Sequence, residues 1–259
     1  MTLLQALILG IIQGLTEFIP VSSSGHLILI PEILEWEVQT TSFDISVHAA
    51  TTLALIIYFR NDILFIINKI QKRTSRSLIV NIIITTIPAA IIGIFFEDAI
   101  DEIFKDISTI AAMLIIVGLV MLFIDRFTRD NQQKIETLKE KQSFLIGIFQ
   151  SVAFIRGTSR SGITLIGGML TGLSRQQAVR YAFLAGIPIL TAVSLKQFVA
   201  FSLEGFGDID PMNIIIGFIA SFFSGLIAIR VLLLFLKENT LKIFGIYRII
   251  LGILILIIF

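Results

Sequence analysis

Residues 17–26 read EFIPVSSSGH and residues 155–164 read IRGTSRSGIT, two polar clusters in a chain that is apolar along most of its length. Glycine- and serine-rich turns that open helices aim several backbone N–H groups at one point, an arrangement that suits an anion. Arg160 adds a planar, bidentate donor matched to phosphate. In the first cluster Glu17 lies one helical turn beyond Gln13, so the two share a face, and they flank the serine turn that leads into His26. A carboxylate and a histidine in an anion site point to chemistry on the anion as well as binding. Since a carboxylate beside a phosphate repels it unless a cation intervenes, the cluster implies a divalent metal bridging Glu17 and substrate oxygens. Plainer roles stand beside these. Glu17 and Arg160 could form a structural ion pair between the clusters, His26 could cap a helix by bonding a carbonyl, and the serines are ordinary caps as often as ligands. Asp44 and His48, four residues apart, read as a buried structural pair more readily than as partners of the site.

Composition limits what can surround these residues. The 259 residues are 56% hydrophobic and 15% charged, with a mean hydropathy of +0.95, which marks an integral membrane protein. There is no cysteine, so disulfides, thiolate nucleophiles and sulfur-ligated metals are excluded, and two histidines cannot build a histidine-rich metal site. Any metal must bind to oxygen. A net charge of +1 argues against a nucleic-acid partner. The opening MTLLQALILGIIQGLTEF lacks the positive n-region and small-residue cleavage site of a secretory signal, and is expected to belong to the mature fold.

Apolar stretches fall at 1–19, 43–59, 78–96, 108–124, 142–155, 162–173, 178–201, 212–236 and 243–259. Most are long enough to cross hydrocarbon as helices, which takes roughly 17–25 residues, but 142–155 and 162–173 are too short. Connectors sort by sign. Residues 60–77 carry Arg60, Lys69, Lys72, Arg73 and Arg76, and 126–141 carry Arg126, Arg129, Lys134, Lys139 and Lys141. With Arg175, Arg180, Lys237 and Lys242 they should face the cytoplasm. The connectors 32–42, 97–107 and 202–211 are mainly acidic and belong outside. Six spans satisfy these constraints, and 142–173 must then enter from the cytoplasm and return there, turning at RGTSRSG.

An internal repeat supports a mirror image of that hairpin at 1–34. LGIIQ (9–13) aligns with IGIFQ (146–150) at an offset of 137, the distance from Gln13 to Gln150, which places Ser22 on Ser159, Ser24 on Ser161 and Gly25 on Gly162. An odd number of spans per half forces the halves into opposite orientations. The expected fold is therefore an all-α polytopic membrane protein with an inverted-topology repeat, each half one re-entrant helical hairpin plus three transmembrane helices. The first repeat would occupy 1–125 with its hairpin at 1–34, a basic cytoplasmic linker 126–141, and the second repeat 142–259 with its hairpin at 142–173, all in one integrated membrane domain. Irregular backbone at membrane depth is tolerated only where it lines a cavity or is buried in protein, so the two turns should meet near the middle.

QGLTEFIPVSSSGHL resembles the (Glu/Gln)-x-x-x-Glu box plus histidine, and RGTSRSGIT the Pro-Gly-x-Ser-Arg-Ser-x-x-Thr box, of the undecaprenyl-diphosphate phosphatase family, also called bacitracin-resistance proteins. The likeness extends through FDISVHAATTLALIIYF, IPAAIIGIFFEDAI and YAFLAGIP. It implies a plasma-membrane phosphatase that removes the terminal phosphate of a C55 polyprenyl diphosphate on the outer side, with a divalent cation, Mg²⁺ or Ca²⁺. Position by position, the family's functional residues fall on Gln13 and Glu17, on Ser22, Ser23 and His26, and on Ser159, Arg160, Ser161 and Thr164. In the implied mechanism Arg160 and the 157–162 amides, spanning Gly157, Thr158, Ser159, Ser161 and Gly162, hold the diphosphate, while Glu17, assisted by Gln13, binds the cation or activates the nucleophile. Water, His26 and a serine such as Ser23 stay open as the nucleophile. Arg156 stands where the family usually has proline. Expected partners are the polyprenyl diphosphate and membrane lipid, with a homodimer left open and no nucleic acid. The competing class is a flippase or transporter of polyprenyl phosphate, because carriers also use inverted repeats with broken helices. A sensor of lipid phosphates would need no metal and should survive loss of Glu17. The topology has a direct test: an impermeant thiol reagent should label Glu35→Cys in intact cells and leave Ile70→Cys unlabelled until the membrane is opened.

Overall fold

The computed structural model of the chain describes residues 1–104, 106–128, 131–204 and 210–259, and their side chains except those at 98, 101 and 200–204. Arg129 of the basic connector, and residues 105 and 205–209 of the acidic ones, lie outside the described residues. In chain order the helices are α1 (Leu3–Phe18), α2 (Ser23–Ile33), α3 (Thr41–Tyr58), α4 (Arg60–Asn68), α5 (Arg73–Phe95), α6 (Glu97–Ile103), α7 (Ile107–Thr128), α8 (Glu140–Ser151), α9 (Arg160–Leu170), α10 (Arg175–Glu204), α11 (Pro211–Glu238) and α12 (Lys242–Ile258). Among the described residues no strand forms. Five helices, α3, α5, α7, α10 and α11, are long and apolar enough to cross a membrane. The sixth expected span, 243–259, forms α12, whose 17 residues sit at the short limit of the spanning range. The chain is an all-α, multi-pass membrane protein.

Surface chemistry follows from the solvent. Where lipid meets a helix, an apolar side chain loses nothing by exposure, and Ile83, Ile94, Phe223 and Ile257 all point outward. With little hydrophobic force to drive helices together in lipid, close backbone approach has to do so. On α1, Gly10 and Gly14 meet Gly217, Ser221, Ser224 and Gly225 of α11, and Gly118 of α7 meets Gly245 of α12. Polar side chains tie the helix ends. Asp125 at the end of α7 accepts from Arg175 Nη2 at 2.6 Å and from the Leu241 amide at 2.9 Å. Arg180 pairs with Asp62, and Lys196 with Glu97.

Two connectors hold more structure than their charge pattern predicts, since α4 lies within the basic connector 60–77 and α6 within the acidic connector 97–107. Charges set which side of the membrane a loop occupies, but they do not forbid a short amphipathic helix there.

The last turn of α1, which carries Glu17, is held by packing. Phe18 is fully buried and meets Phe183 of α10 edge to face at 5.7 Å between ring centroids, and Phe59 flanks the same ring at 6.0 Å. A Cβ on Gly14 would collide with Ser224 Oγ and the Ser221 carbonyl and come within 2.8 Å of the Gly225 amide. Backbone cannot yield as a side chain tip can. Gly14→Val is therefore expected to cost about 1–3 kcal/mol of stability by overpacking, seen as a lower midpoint of thermal unfolding in detergent, whereas Leu7→Val on the exposed face of α1 should leave the midpoint unchanged.

Candidate active site

Two turns of unusual backbone meet at the site. Ser22, between α1 and α2, has φ 77° and ψ 99°, and Ser159, between α8 and α9, has φ 70° and ψ 106°. Positive φ is rare for residues with a Cβ and costs of order 1–3 kcal/mol, so surrounding contacts must enforce it. Each serine leads into a helix N-terminus whose first amides have no partner within the helix. Hydroxyl pairs repeat as well: Ser22 Oγ lies 3.2 Å from Ser24 Oγ, and Ser159 Oγ 3.2 Å from Ser161 Oγ. The turns touch, since a Cβ on Gly162 would lie 3.1 Å from Pro20 Cβ.

Between the turns opens a cavity of about 210 Å³ whose polar lining is Glu17, Ser22–Ser24, His48, Ser159, Arg160 and Gln197. Glu17 is its hub. Its Oε1 accepts from Arg160 Nη2 at 3.1 Å, and its Oε2 accepts from Ser23 Oγ at 2.9 Å and from Gln13 Nε2 at 3.2 Å. The pair Glu17–Arg160 joins the two clusters, and it leaves Arg160 Nε and Nη1 buried without a hydrogen-bond partner. Gln13 is fully buried, and its Oε1 also lacks a partner. Unpaired buried donors are costly, and those of Arg160 belong to a residue in the wall of the cavity.

Not every expected residue faces that cavity. His26 is turned to the back of the hairpin, where Nδ1 lies 2.7 Å from the Ser22 carbonyl oxygen and Nε2 lies 2.6 Å from Tyr247 Oη, with the two rings stacked. A carbonyl only accepts, so Nδ1 carries the proton, and in the neutral ring Nε2 accepts from the tyrosine. Both nitrogens are engaged and the ring does not line the cavity, which departs from the expectation of His26 as a candidate nucleophile. Position 26 is one full turn beyond Ser22, so its ring falls beneath the turn and not above it. Thr164 Oγ1 donates to the Arg160 carbonyl, Thr158 Oγ1 to the Ile155 carbonyl, and the Gly162 amide to Ser159 Oγ. Ser161 is buried behind Ser159. Gly157, at φ 89°, packs where a Cβ would lie 2.6 Å from the Ile110 carbonyl. These five residues build the second turn and do not line the cavity.

Three residues outside the sequence candidates complete the site. His48, which the sequence favours as half of a structural pair with Asp44, lines the cavity with Nδ1 3.0 Å from Gln13 Nε2. Gly186 lies against the Arg160 guanidinium so closely that a Cβ there would overlap Nη1. Arg248 of α12, fully buried, donates to the carbonyls of Pro20, Gly157 and Thr158 and so clamps both turns. An arginine in an apolar run was a legible signal of function or buried pairing.

Fold and site together define a helical membrane protein with a polar cavity between two serine turns, walled by the Glu17–Arg160 pair. Sequence comparison places it further. The family described as bacitracin resistance protein BacA matches residues 6–254, and the chain belongs to it. The undecaprenyl-diphosphatase of Methanococcus aeolicus is 37% identical over all of this chain and 99% of its own length. That of Geotalea daltonii is 39% identical over 97% of this chain and 96% of its own, and undecaprenyl-diphosphatase 1 of Pseudoalteromonas translucida 38% identical over 98% and 97%.

Because only a hydrogen side chain fits beside Arg160, Gly186→Ala should displace the guanidinium from Glu17. Hydrogen bonds to charged groups are worth about 1.5–3 kcal/mol, so calorimetric titration of the solubilised variant with inorganic pyrophosphate should show binding at least roughly tenfold weaker than wild type.

Proposed function

We propose that the protein is an undecaprenyl-diphosphatase: it hydrolyses undecaprenyl diphosphate, a polyprenyl diphosphate, to the monophosphate and inorganic phosphate, returning the lipid carrier to cell-envelope glycan synthesis and conferring bacitracin resistance. The observation that carries this reading is Arg160, held by Glu17 through one nitrogen while Nε and Nη1 stay buried and unpartnered beside two serine turns. Phosphate oxygens would satisfy those donors. The names of relatives matched along their whole length support the same substrate.

In this reading Arg160 holds the terminal phosphoryl group and stabilises charge as it transfers. Glu17 Oε2, already accepting the Ser23 hydroxyl at 2.9 Å, takes the proton from that hydroxyl or from a water held beside it as the new P–O bond forms and the bridging P–O bond breaks, releasing undecaprenyl monophosphate; a phosphoryl group left on Ser23 is then hydrolysed by water to inorganic phosphate and the free hydroxyl. His26 and Tyr247 keep the Ser22 carbonyl, and so the turn, in place. A divalent cation, Mg²⁺ or Ca²⁺, would be held by the Glu17 carboxylate, since hard cations take oxygen ligands and the Gln13 amide faces Glu17 through Nε2. Among the described residues no group of three or more acidic, histidine or cysteine side chains could hold a metal unaided, so diphosphate oxygens would supply the remaining ligands. Bound there, the cation neutralises diphosphate charge and polarises the phosphoryl oxygen.

The reading includes the inverted repeat with its two re-entrant hairpins, in repeats 1–125 and 142–259 of one membrane domain, and a site open to the outer face of the plasma membrane. Several pairs of residues 137 apart support it. Ser22 and Ser159 share a rare backbone conformation. Gly10 meets the backbone of Gly217 on α11, and Gly147 meets that of Thr85 on α5, so each first hairpin arm packs on a helix of the other half. In this reading the polyprenyl tail stays in lipid while the head group enters the site laterally.

Purified protein in detergent is expected to release phosphate from undecaprenyl diphosphate, and to stop when EDTA is added. Glu17→Ala and Arg160→Ala, checked for folding by thermal unfolding, should each lower release roughly 100-fold or more. Folded wild type that releases no phosphate would point instead to a carrier for the lipid phosphate.

A further inference from the structure

One face of α10 runs along the site. Gly186, Leu190, Val193 and Gln197 follow one another at helical spacing and so lie in one stripe. Gly186 packs on the Arg160 guanidinium, and Leu190, Val193 and Gln197 line the cavity between the turns. Contacts with α3 fix the direction of this stripe. Thr52 Oγ1 lies 3.2 Å from Ser194 Oγ, and elsewhere on the same two segments the Phe59 and Phe183 rings meet. The chain thus passes from Thr52 to Phe59 on one side as it passes from Ser194 back to Phe183 on the other, so the two helices are antiparallel. His48 and Gln197 therefore stand at one level, each about one turn past the Thr52–Ser194 contact on the side away from Phe183, and both line the cavity.

At that level His48 already has a partner, since its Nδ1 lies 3.0 Å from Gln13 Nε2. Gln197 has none. Its Oε1 is buried and unpaired, and among the described residues no group bonds its amide nitrogen. An amide left unmet beside the apolar Leu190 and Val193 is costly, and a ligand in the cavity would meet it. Gln197 lies 11 residues beyond Gly186, about 16 Å of helix axis, and a helical side chain leans back toward the N-terminus, here toward Arg160. One phosphate held by Arg160 falls short of that amide, whereas a second phosphoryl group joined to the first extends toward it. We propose that Gln197 is a specificity-determining residue: its amide donates to the phosphoryl group farther from Arg160, and so selects a diphosphate over a monophosphate. The inference rests on the proposed function. After cleavage neither product spans Arg160 and Gln197 together, so each is held more weakly than the substrate.

Two substitutions separate donation from mere bulk. Gln197→Leu fills the space with no polar group, and Gln197→Glu keeps the shape with no N–H to give. Titration calorimetry of each full-length protein in detergent with methylenediphosphonate, whose P–C–P link is not hydrolysed, reads binding without turnover. Orthophosphate is the comparison with one phosphoryl group. Because a hydrogen bond to a charged group is worth about tenfold or more in affinity, Gln197→Leu should bind methylenediphosphonate at least roughly tenfold more weakly than wild type and orthophosphate within about twofold of it. Gln197→Glu should bind methylenediphosphonate no better than Gln197→Leu does. Thermal unfolding of both variants controls for folding. Equal methylenediphosphonate affinity in Gln197→Leu and wild type overturns the proposal, as does equal weakening toward both ligands, recovery in Gln197→Glu, or absence of methylenediphosphonate binding to wild type. Phosphate release from undecaprenyl diphosphate by the same preparations keeps the two readings apart: inactive wild type counts against the phosphatase, whereas active wild type with unaltered binding in Gln197→Leu counts against Gln197 alone.

Discussion

A single guanidinium, that of Arg248, fastens the two turns on which the site stands. It is fully buried in α12, and its terminal nitrogens donate to the carbonyls of Pro20 on the first turn, Gly157 and Thr158 on the second, and Met113 on α7. Irregular backbone inside a membrane protein leaves carbonyls that water cannot reach, each costing several kcal/mol if unpaired. A planar cation with five donors is the one side chain that can answer so many at once. The dependence is mutual, because four carbonyls compensate a charge buried away from water, although Nε itself has no partner. Loss of the arginine would orphan carbonyls of both turns together, so it acts as a shared keystone and not as one contact among many.

That clamp explains how the strained serines persist. Ser22 and Ser159 hold positive φ without being glycine, and neither conformation would survive in an isolated loop. Around Ser22 the His26 ring grips the carbonyl from below, and around Ser159 the Gly162 amide caps the hydroxyl. With backbone fixed on both sides, Glu17 and Arg160 meet across the gap at 3.1 Å. The pair satisfies only one of the three guanidinium nitrogens of Arg160 and leaves Nε and Nη1 unpaired.

What was legible in the sequence was local. The offset between Gln13 and Gln150 aligns the turns, and the apolar lengths and loop charges give the helices. Glu17, Ser22, Ser23, Ser159 and Arg160 could be read because each cluster folds as one turn with its own helix start. Partners far along the chain could not. The ring of His26 is decided by Tyr247, 221 residues away, and Arg248 reaches Pro20 across 228. Gly186 lies in the quoted YAFLAGIP, but nothing local shows that Arg160 arrives against it from another helix. His48 lost its place in the site to Asp44 for a related reason: a neighbour at four residues is visible in sequence, and Gln13, 35 residues off, is not.

Likeness of scaffold makes the difference in chemistry informative. At the offset of 137, Glu17 falls on Phe154 and Ser23 on Arg160, while Gln13 falls on Gln150. Two carboxylates facing one another would repel, and two arginines alone would bind an anion without offering a base. Dividing the roles avoids both. Phe154 has a second effect, for with Gln150 and Ile189 it lines a pocket of about 130 Å³ that shares Ala153, Leu190, Val193 and Arg160 with the cavity between the turns. The guanidinium thus sits where the polar cavity runs into a more apolar pocket. In the proposed reading a lipid diphosphate, itself divided between a charged head and an apolar tail, would meet both surfaces at Arg160.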